Sequence, residues 1–122
     1  MKKLLIKSGS SALFFILFTA SDFLPEKNYQ NIWCQENCGI TEAVLDDKTR
    51  VDCLTATNAI EFDFAKKWAE AIGQALHYGI KTGKRPGIVI IKKTPSDDHY
   101  VEFIKNIIAQ YNLPIDVWTI TP

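Results

Sequence analysis

Three acids, Asp52, Glu61 and Asp63, interrupt stretches that otherwise read as buried strands, residues 50–55 (RVDCLT) and 59–64 (AIEFDF). Strand alternation places Asp52 on one face with Arg50 and Leu54, while Val51 and Cys53 turn to the other. On the second stretch Glu61 and Asp63 share a face with Ala59, and Ile60 and Phe62 take the opposite one. Thr57-Asn58 suits the turn between them, so the two stretches are expected to pair as a hairpin. Asp52 and Glu61 then come close together. Two carboxylates so placed repel each other unless a proton or a divalent cation lies between them, and an all-oxygen site suits Mg²⁺ or Mn²⁺. A solvated acidic sheet face is the plainer alternative. The apolar neighbours of these acids argue against it.

The segment after the acids, residues 65–79, carries helical periodicity. Its wheel buries Trp68, Ile72 and Leu76 and presents Lys67, Glu70, Gln74 and Tyr78 in a line that continues from Asp63. A polar stripe on an amphipathic helix is usually a solvated face; here an amine, an amide and a phenol aligned with the acids shift the balance towards a site.

In this order the residues resemble the PD-(D/E)xK nuclease superfamily, the fold of many restriction enzymes and Holliday-junction resolvases. Its hallmark is an Asp on one strand and Glu-x-Lys on the next. Asp52, eight residues and Glu61 match the first two elements. Residues 74–78 (QALHY) look like the QxxxY motif of the RecB-like branch, and Glu42 lies where many members place an upstream acid. The stretches RVDCLT and AIEFDFAKKWAEAIGQALHY also look like those of small bacterial proteins of this superfamily. The likeness spans about residues 39 to 120. One position departs from the pattern: two residues after Glu61 stands Asp63, not lysine, and a lysine displaced onto the following helix, Lys67 before Lys66, would have to replace it.

The resemblance implies a restriction-endonuclease-like α/β core, α-β-β-β-α-β around a mixed sheet, with a further helix and strand at the C-terminus. It implies hydrolysis of a phosphodiester in nucleic acid, DNA before RNA. Asp52, Glu61 and the Phe62 carbonyl, with Glu42, would hold Mg²⁺ or Mn²⁺. Lys67 would serve the attacking water, and Gln74 and Tyr78 would position the phosphate or the lysine. A homodimer is expected by analogy with resolvases. The alternatives are a catalytically inactive nucleic-acid-binding or protein-interaction module on the same fold, and an exported protein with an unrelated envelope role.

The remaining elements must hold this site. Residues 28–38 suit a short helix or packed segment, Thr41 to Leu45 a strand, and the apolar run at residues 88–91 a buried strand. Ser96 is expected to cap a helix that buries Val101, Ile104, Ile108 and Tyr111. Pro114 to Ile120 reads as the last strand. The three cysteines cannot all pair within one chain. Cys34 with Cys38 is one pairing open to an exported chain, the pairing itself is left open, and Cys53 is expected as a buried free thiol. Two distant histidines, His77 and His99, make a poor complement for a zinc set.

A chain of 122 residues that is 47% hydrophobic and 23% charged makes one ordinary folded domain, which excludes disordered and fibrous classes. Its 14 basic and 14 acidic residues cancel, so no strong global positive charge recommends a nucleic-acid partner. Lys2, Lys3 and Lys7, the apolar run at residues 12–18 and the small residues 19–21 have the order of a signal peptide. Residues 1–21 are therefore expected to be a leader and 22–122 the domain, exported (periplasmic or secreted) with no stable membrane anchor if the leader is cleaved, and cytoplasmic otherwise. Taking those three lysines from the 14 basic residues leaves 11 against 14 acids, a net of −3. Phosphate affinity would then fall to a local set: Lys81, Lys84, Arg85, Lys92 and Lys93.

Overall fold

The computed structural model describes residues 2–7, 13–18 and 23–122. Strands β1 (Lys2–Lys7) and β2 (Leu13–Phe18) pair antiparallel in a two-stranded sheet of their own. Residues 19–21, where leader cleavage is expected, lie outside the described residues. No described helix is long and apolar enough to cross a membrane.

The remaining elements are α1 (Glu26–Glu36), β3 (Ile40–Val44), β4 (Arg50–Leu54), β5 (Asn58–Phe64), α2 (Trp68–Thr82), β6 (Arg85–Ile91), α3 (Asp98–Tyr111) and β7 (Asp116–Ile120). They form a five-stranded sheet in the order β3-β4-β5-β6-β7. β3, β4 and β5 run antiparallel as a meander, and β5, β6 and β7 run parallel through the α2 and α3 crossovers. The mixed α/β sheet expected from the sequence is present.

Helices cover both faces. On one, α2 and α3 meet the sheet through Ala71, Ala75, Val101 and Ile104 against Ile88 and Ile90, with Trp68, Ile72 and Leu76 partly buried around them. On the other, α1 brings Cys34 and Trp33 against Cys53, Ile60, Phe62 and Val89. Residues 88–91 of β6 are all fully buried, as a central parallel strand covered on both faces requires. Each such side chain removed from water contributes about 1.5–3 kcal/mol.

Several local expectations are corrected. The helix cap before α3 is Thr94, not Ser96: Thr94 and Asp97 form a reciprocal capping box around the short 3-10 turn Pro95–Asp97. Tyr111 is 72% exposed, because the helix ends there and Asn112 turns left-handed. The cysteines pair as Cys34–Cys53, leaving Cys38 free and exposed. Cys34 is on the buried face of α1, whereas Cys38 lies beyond the helix end at φ 57°. Gly39 makes room for the bridge: a Cβ there would fall 2.5 Å from Cys53 Sγ and 2.6 Å from Cys34 Sγ.

Candidate functional site

The site begins where two strand pairings fail at the same residue. β3 and β4 pair at Thr41–Cys53 and again at Ala43–Val51, leaving Glu42 and Asp52 opposite each other outside the ladder. Glu42 takes the left-handed conformation, φ 54°, which is uncommon for a residue with a side chain. β4 and β5 pair only at Cys53–Ile60 and Leu54–Ala59 before separating. In place of the next rung, the Phe62 amide donates to Asp52 Oδ2 at 2.8 Å.

This irregularity corrects the simple alternation. Val51 and Cys53 are both fully buried, but in different clusters: Val51 packs with Ala59 and Tyr78, Cys53 with Cys34, Ile60 and Phe62. The backbone therefore turns over at Asp52. β5 stays regular, with Ile60 and Phe62 towards α1 and Ala59 towards α2. Alternation then places Glu61 and Asp63 on the α2 side.

Asp52, Glu61 and Asp63 are drawn into one region with Glu26, from the first turn of α1. Glu61 and Asp63 are each only 5% exposed. Glu61 Oε2 and Asp63 Oδ2 are buried without a hydrogen-bond partner. Burial, then the neighbouring Asp52 and Asp63, push the Glu61 carboxyl far above the usual carboxylate range. Burial also raises Asp52, against the pull of the Phe62 amide and a hydrogen bond with Glu61. Both shifts run in the same direction, so the pair favours taking up a proton. Asp63 is pushed up to about 7, first by burial and then by Glu26, while Lys67 draws it down. Burial and the charge of Asp52 likewise raise Glu26, and Lys67 lowers it.

Gln30 ties the two out-of-ladder acids to α1. Its Nε2 donates to the Asp52 carbonyl at 2.9 Å and to Glu42 Oε1 at 3.3 Å. Glu42 also lies 3.7 Å from Lys27 Nζ. Sequence reasoning passed over Glu26 and Gln30. The available signal was their spacing: residues 26, 30 and 34 share one helical face, and Cys34 on it faces the sheet.

The helix residues divide. Lys67 is exposed, at the end of the 3-10 turn Ala65–Lys67, and forms no ion pair among the described residues. Its charge is felt by Asp63 and Glu26. Gln74 is exposed. Tyr78 does not lie on a solvent-facing stripe with it. Tyr78 is 7% exposed and packs on Val51 and Ala59. Burial first, then Glu61 and Asp52, push its phenol up to about 12. The expected wheel treated residues 63–78 as one helix. The 3-10 turn breaks the continuity with Asp63, and within α2 the most buried line is Ala71, Ala75 and Tyr78, to one side of the partly buried Trp68, Ile72 and Leu76 on which the wheel is centred.

The expected basic set is largely occupied. Lys81 pairs with Asp46 at 3.1 Å, Arg85 with Asp116 at 2.8 Å and Lys92 with Asp98 at 2.9 Å, and Lys84 donates to the Thr55 carbonyl. Arg85 and Lys92 also stand at opposite ends of β6, about 23 Å apart at about 3.3 Å per residue.

Among the described residues no group of three or more His, Cys, Asp or Glu side chains is arranged to hold a metal ion. Two carboxylates, Asp52 and Glu61, make a smaller donor set, to which the resemblance adds the Phe62 carbonyl as an expectation. That set fits Mg²⁺, which keeps several waters and binds through one or two carboxylates plus substrate phosphate. The unpartnered Glu61 Oε2 is the donor that such an ion would satisfy. Compared with family models, curated proteins and solved structures, the chain matches none of them.

Proposed function

We propose that the protein is a metal-dependent nuclease, hydrolysing phosphodiester bonds in DNA before RNA, on a restriction-endonuclease-like core. One observation carries this reading. The buried carboxyl of Glu61 and the half-buried carboxyl of Asp52 stand together where β4 leaves β5, with one oxygen of Glu61 lacking any partner. Burying an ionised carboxyl without a partner is costly, so such a pair is kept for a proton or a cation. The element order α1-β3-β4-β5-α2-β6 supports the core named here.

Mg²⁺ or Mn²⁺ bound at Asp52, Glu61 and the Phe62 carbonyl would supply Lewis-acid polarisation of the phosphate and a more acidic water. Glu42, outside the ladder beside Asp52, adds negative charge to that donor set. The Phe62 amide fixes the orientation of Asp52. Lys67, exposed beside Asp63, supplies the amine that takes or steadies the proton of the attacking water and offsets developing negative charge. Gln74 is accessible to the phosphate backbone, and Tyr78 supports the acid pair from the core.

A second reading is favoured by Asp63, which occupies the position of the catalytic lysine, and by Lys67 forming no ion pair with these acids among the described residues. The same fold would then bind nucleic acid without cutting it. An assay of the purified chain on labelled DNA and RNA, with Mg²⁺, Mn²⁺ or EDTA, separates the two. Cleavage that needs the metal and disappears in Glu61→Gln supports the nuclease. A folded protein that cuts neither polymer overturns it.

A further inference from the structure

A cavity of about 500 Å³ opens at the carboxyl ends of the parallel strands β5 and β6, bordered by Phe23, Phe64, Lys66, Lys93, His99 and Tyr100. Clefts beyond the carboxyl ends of parallel strands are the common ligand positions of α/β sheets. Phe64 follows Asp63 directly, so the cavity begins one residue from the acidic region.

Its lining combines two features. Lys66 and Lys93 are exposed and form no ion pair among the described residues. They differ in this from Lys81, Arg85 and Lys92. Asp97, the acid at the cavity, is already engaged by the amides of Lys93 and Thr94. Aromatic surface lies alongside: Lys93 Nζ sits 4.2 Å from the centre of the Phe64 ring, and the His99 and Tyr100 rings are 3.8 Å apart.

We propose that this cavity binds single-stranded nucleic acid, with Lys66 and Lys93 on the phosphates and a base against the Tyr100 and His99 rings. Charge complementarity selects a polyanion over a neutral ligand. The aromatic rings select an unpaired strand, since bases in a duplex present edges to the grooves and bury their faces. The assignment extends the nuclease reading by naming the form of its substrate, but binding itself needs neither metal nor cleavage.

The test is fluorescence polarisation of the full chain in EDTA with labelled oligo-dT of about 12 nucleotides, within the span of one such binding module, against a duplex of equal length. The strand is expected to bind at least tenfold more tightly than the duplex. The double variant Lys66→Glu/Lys93→Glu should weaken strand binding at least tenfold and flatten its salt dependence. Tyr100→Ala should weaken it by about 5- to 150-fold, the range for one lost base stack, while Tyr100→Phe binds as the wild type does. Circular dichroism melting of each variant separates lost binding from lost fold. Equal affinity for strand and duplex, or binding indifferent to the lysine pair, overturns the proposal. So does Tyr100→Phe failing as Tyr100→Ala does. Strand binding without cleavage would sink the nuclease alone, and cleavage with unaltered binding in the lysine variant would sink the cavity assignment alone.

Discussion

The Phe62 amide donates its hydrogen bond to the side chain of Asp52, at 2.8 Å, where a regular ladder would have sent it to a backbone carbonyl. That substitution lets β4 leave β5 and brings Asp52 against Glu61. On the proposed function this acid pair is held for a divalent cation, and without the cation it would take up a proton instead.

The proton has a consequence for stability. Asp63 titrates near 3.8 when unfolded and at about 7 when folded, so the native state binds its proton more tightly. Its stabilising contribution is complete below about pH 3.8 and is lost as pH rises to about 7. Glu61 shifts in the same direction and carries the loss to higher pH. Asp47, lowered to about 2 by its hydrogen bonds with Thr49, acts only below this window. Melting temperature in EDTA should therefore fall between about pH 5 and about pH 8. Added Mg²⁺ or Mn²⁺ should raise it more at the upper end, since binding requires ionised carboxylates. A flat profile, or equal stabilisation at both ends, would count against the buried acids.

Lys67 lowers the pKa of Asp63 and of Glu26 from an exposed position. Lys67→Ala should move the Asp63 titration above about 7, as followed by carboxyl carbon shifts in NMR. If Lys67 also serves the attacking water, cleavage should drop by about 10²–10⁴-fold with little change in melting temperature. Unchanged cleavage with a shifted Asp63 would remove Lys67 from the chemistry.

Tyr78 separates packing from chemistry. It packs in one buried cluster with Val51 and Ala59, so Tyr78→Ala should cost about 3–5 kcal/mol in denaturant unfolding. Tyr78→Phe keeps the ring and should stay close to wild type in stability. Loss of cleavage in the phenylalanine variant would show a role for the phenol; loss in the alanine variant alone would be structural.

The Cys34–Cys53 bridge joins α1 to β4 across 19 residues, one position from Asp52. Closing a loop of that length contributes about 3 kcal/mol. Reduction, or the double change Cys34→Ala/Cys53→Ala, should lower stability by about that amount, and Cys38→Ser should leave it unchanged. Gly39→Ala should destabilise the oxidised protein by about 1–3 kcal/mol through crowding at both sulfurs.

Much of the architecture was legible because period-two and helical patterns report burial directly. Residues 88–91 read as a buried strand, Asp52 and Glu61 interrupted apolar strands, and the meander followed from its turns. Three features were not legible, each for its own reason. The turnover of β4 at Asp52 depends on a left-handed Glu42 and a side-chain hydrogen bond, which leave no mark on periodicity. The large apolar residues Trp68, Ile72 and Leu76 drew the expected buried face to one side of α2, whereas its deepest line follows the small Ala71 and Ala75, which let Tyr78 into the core. Cysteine pairing is a tertiary fact: the i, i+4 spacing of Cys34 and Cys38 suggested a partner, but Cys53 on β4 lies across from Cys34.

The most direct test of the acid pair is a calorimetric titration of the full chain with Mn²⁺, near pH 7 and in buffers of different ionisation enthalpy. The account predicts binding accompanied by proton release, because the proton taken up by Asp52 and Glu61 must leave, and loss of that binding in Glu61→Gln with the fold intact. No binding by the wild type, or binding that persists unchanged in Glu61→Gln, would contradict it.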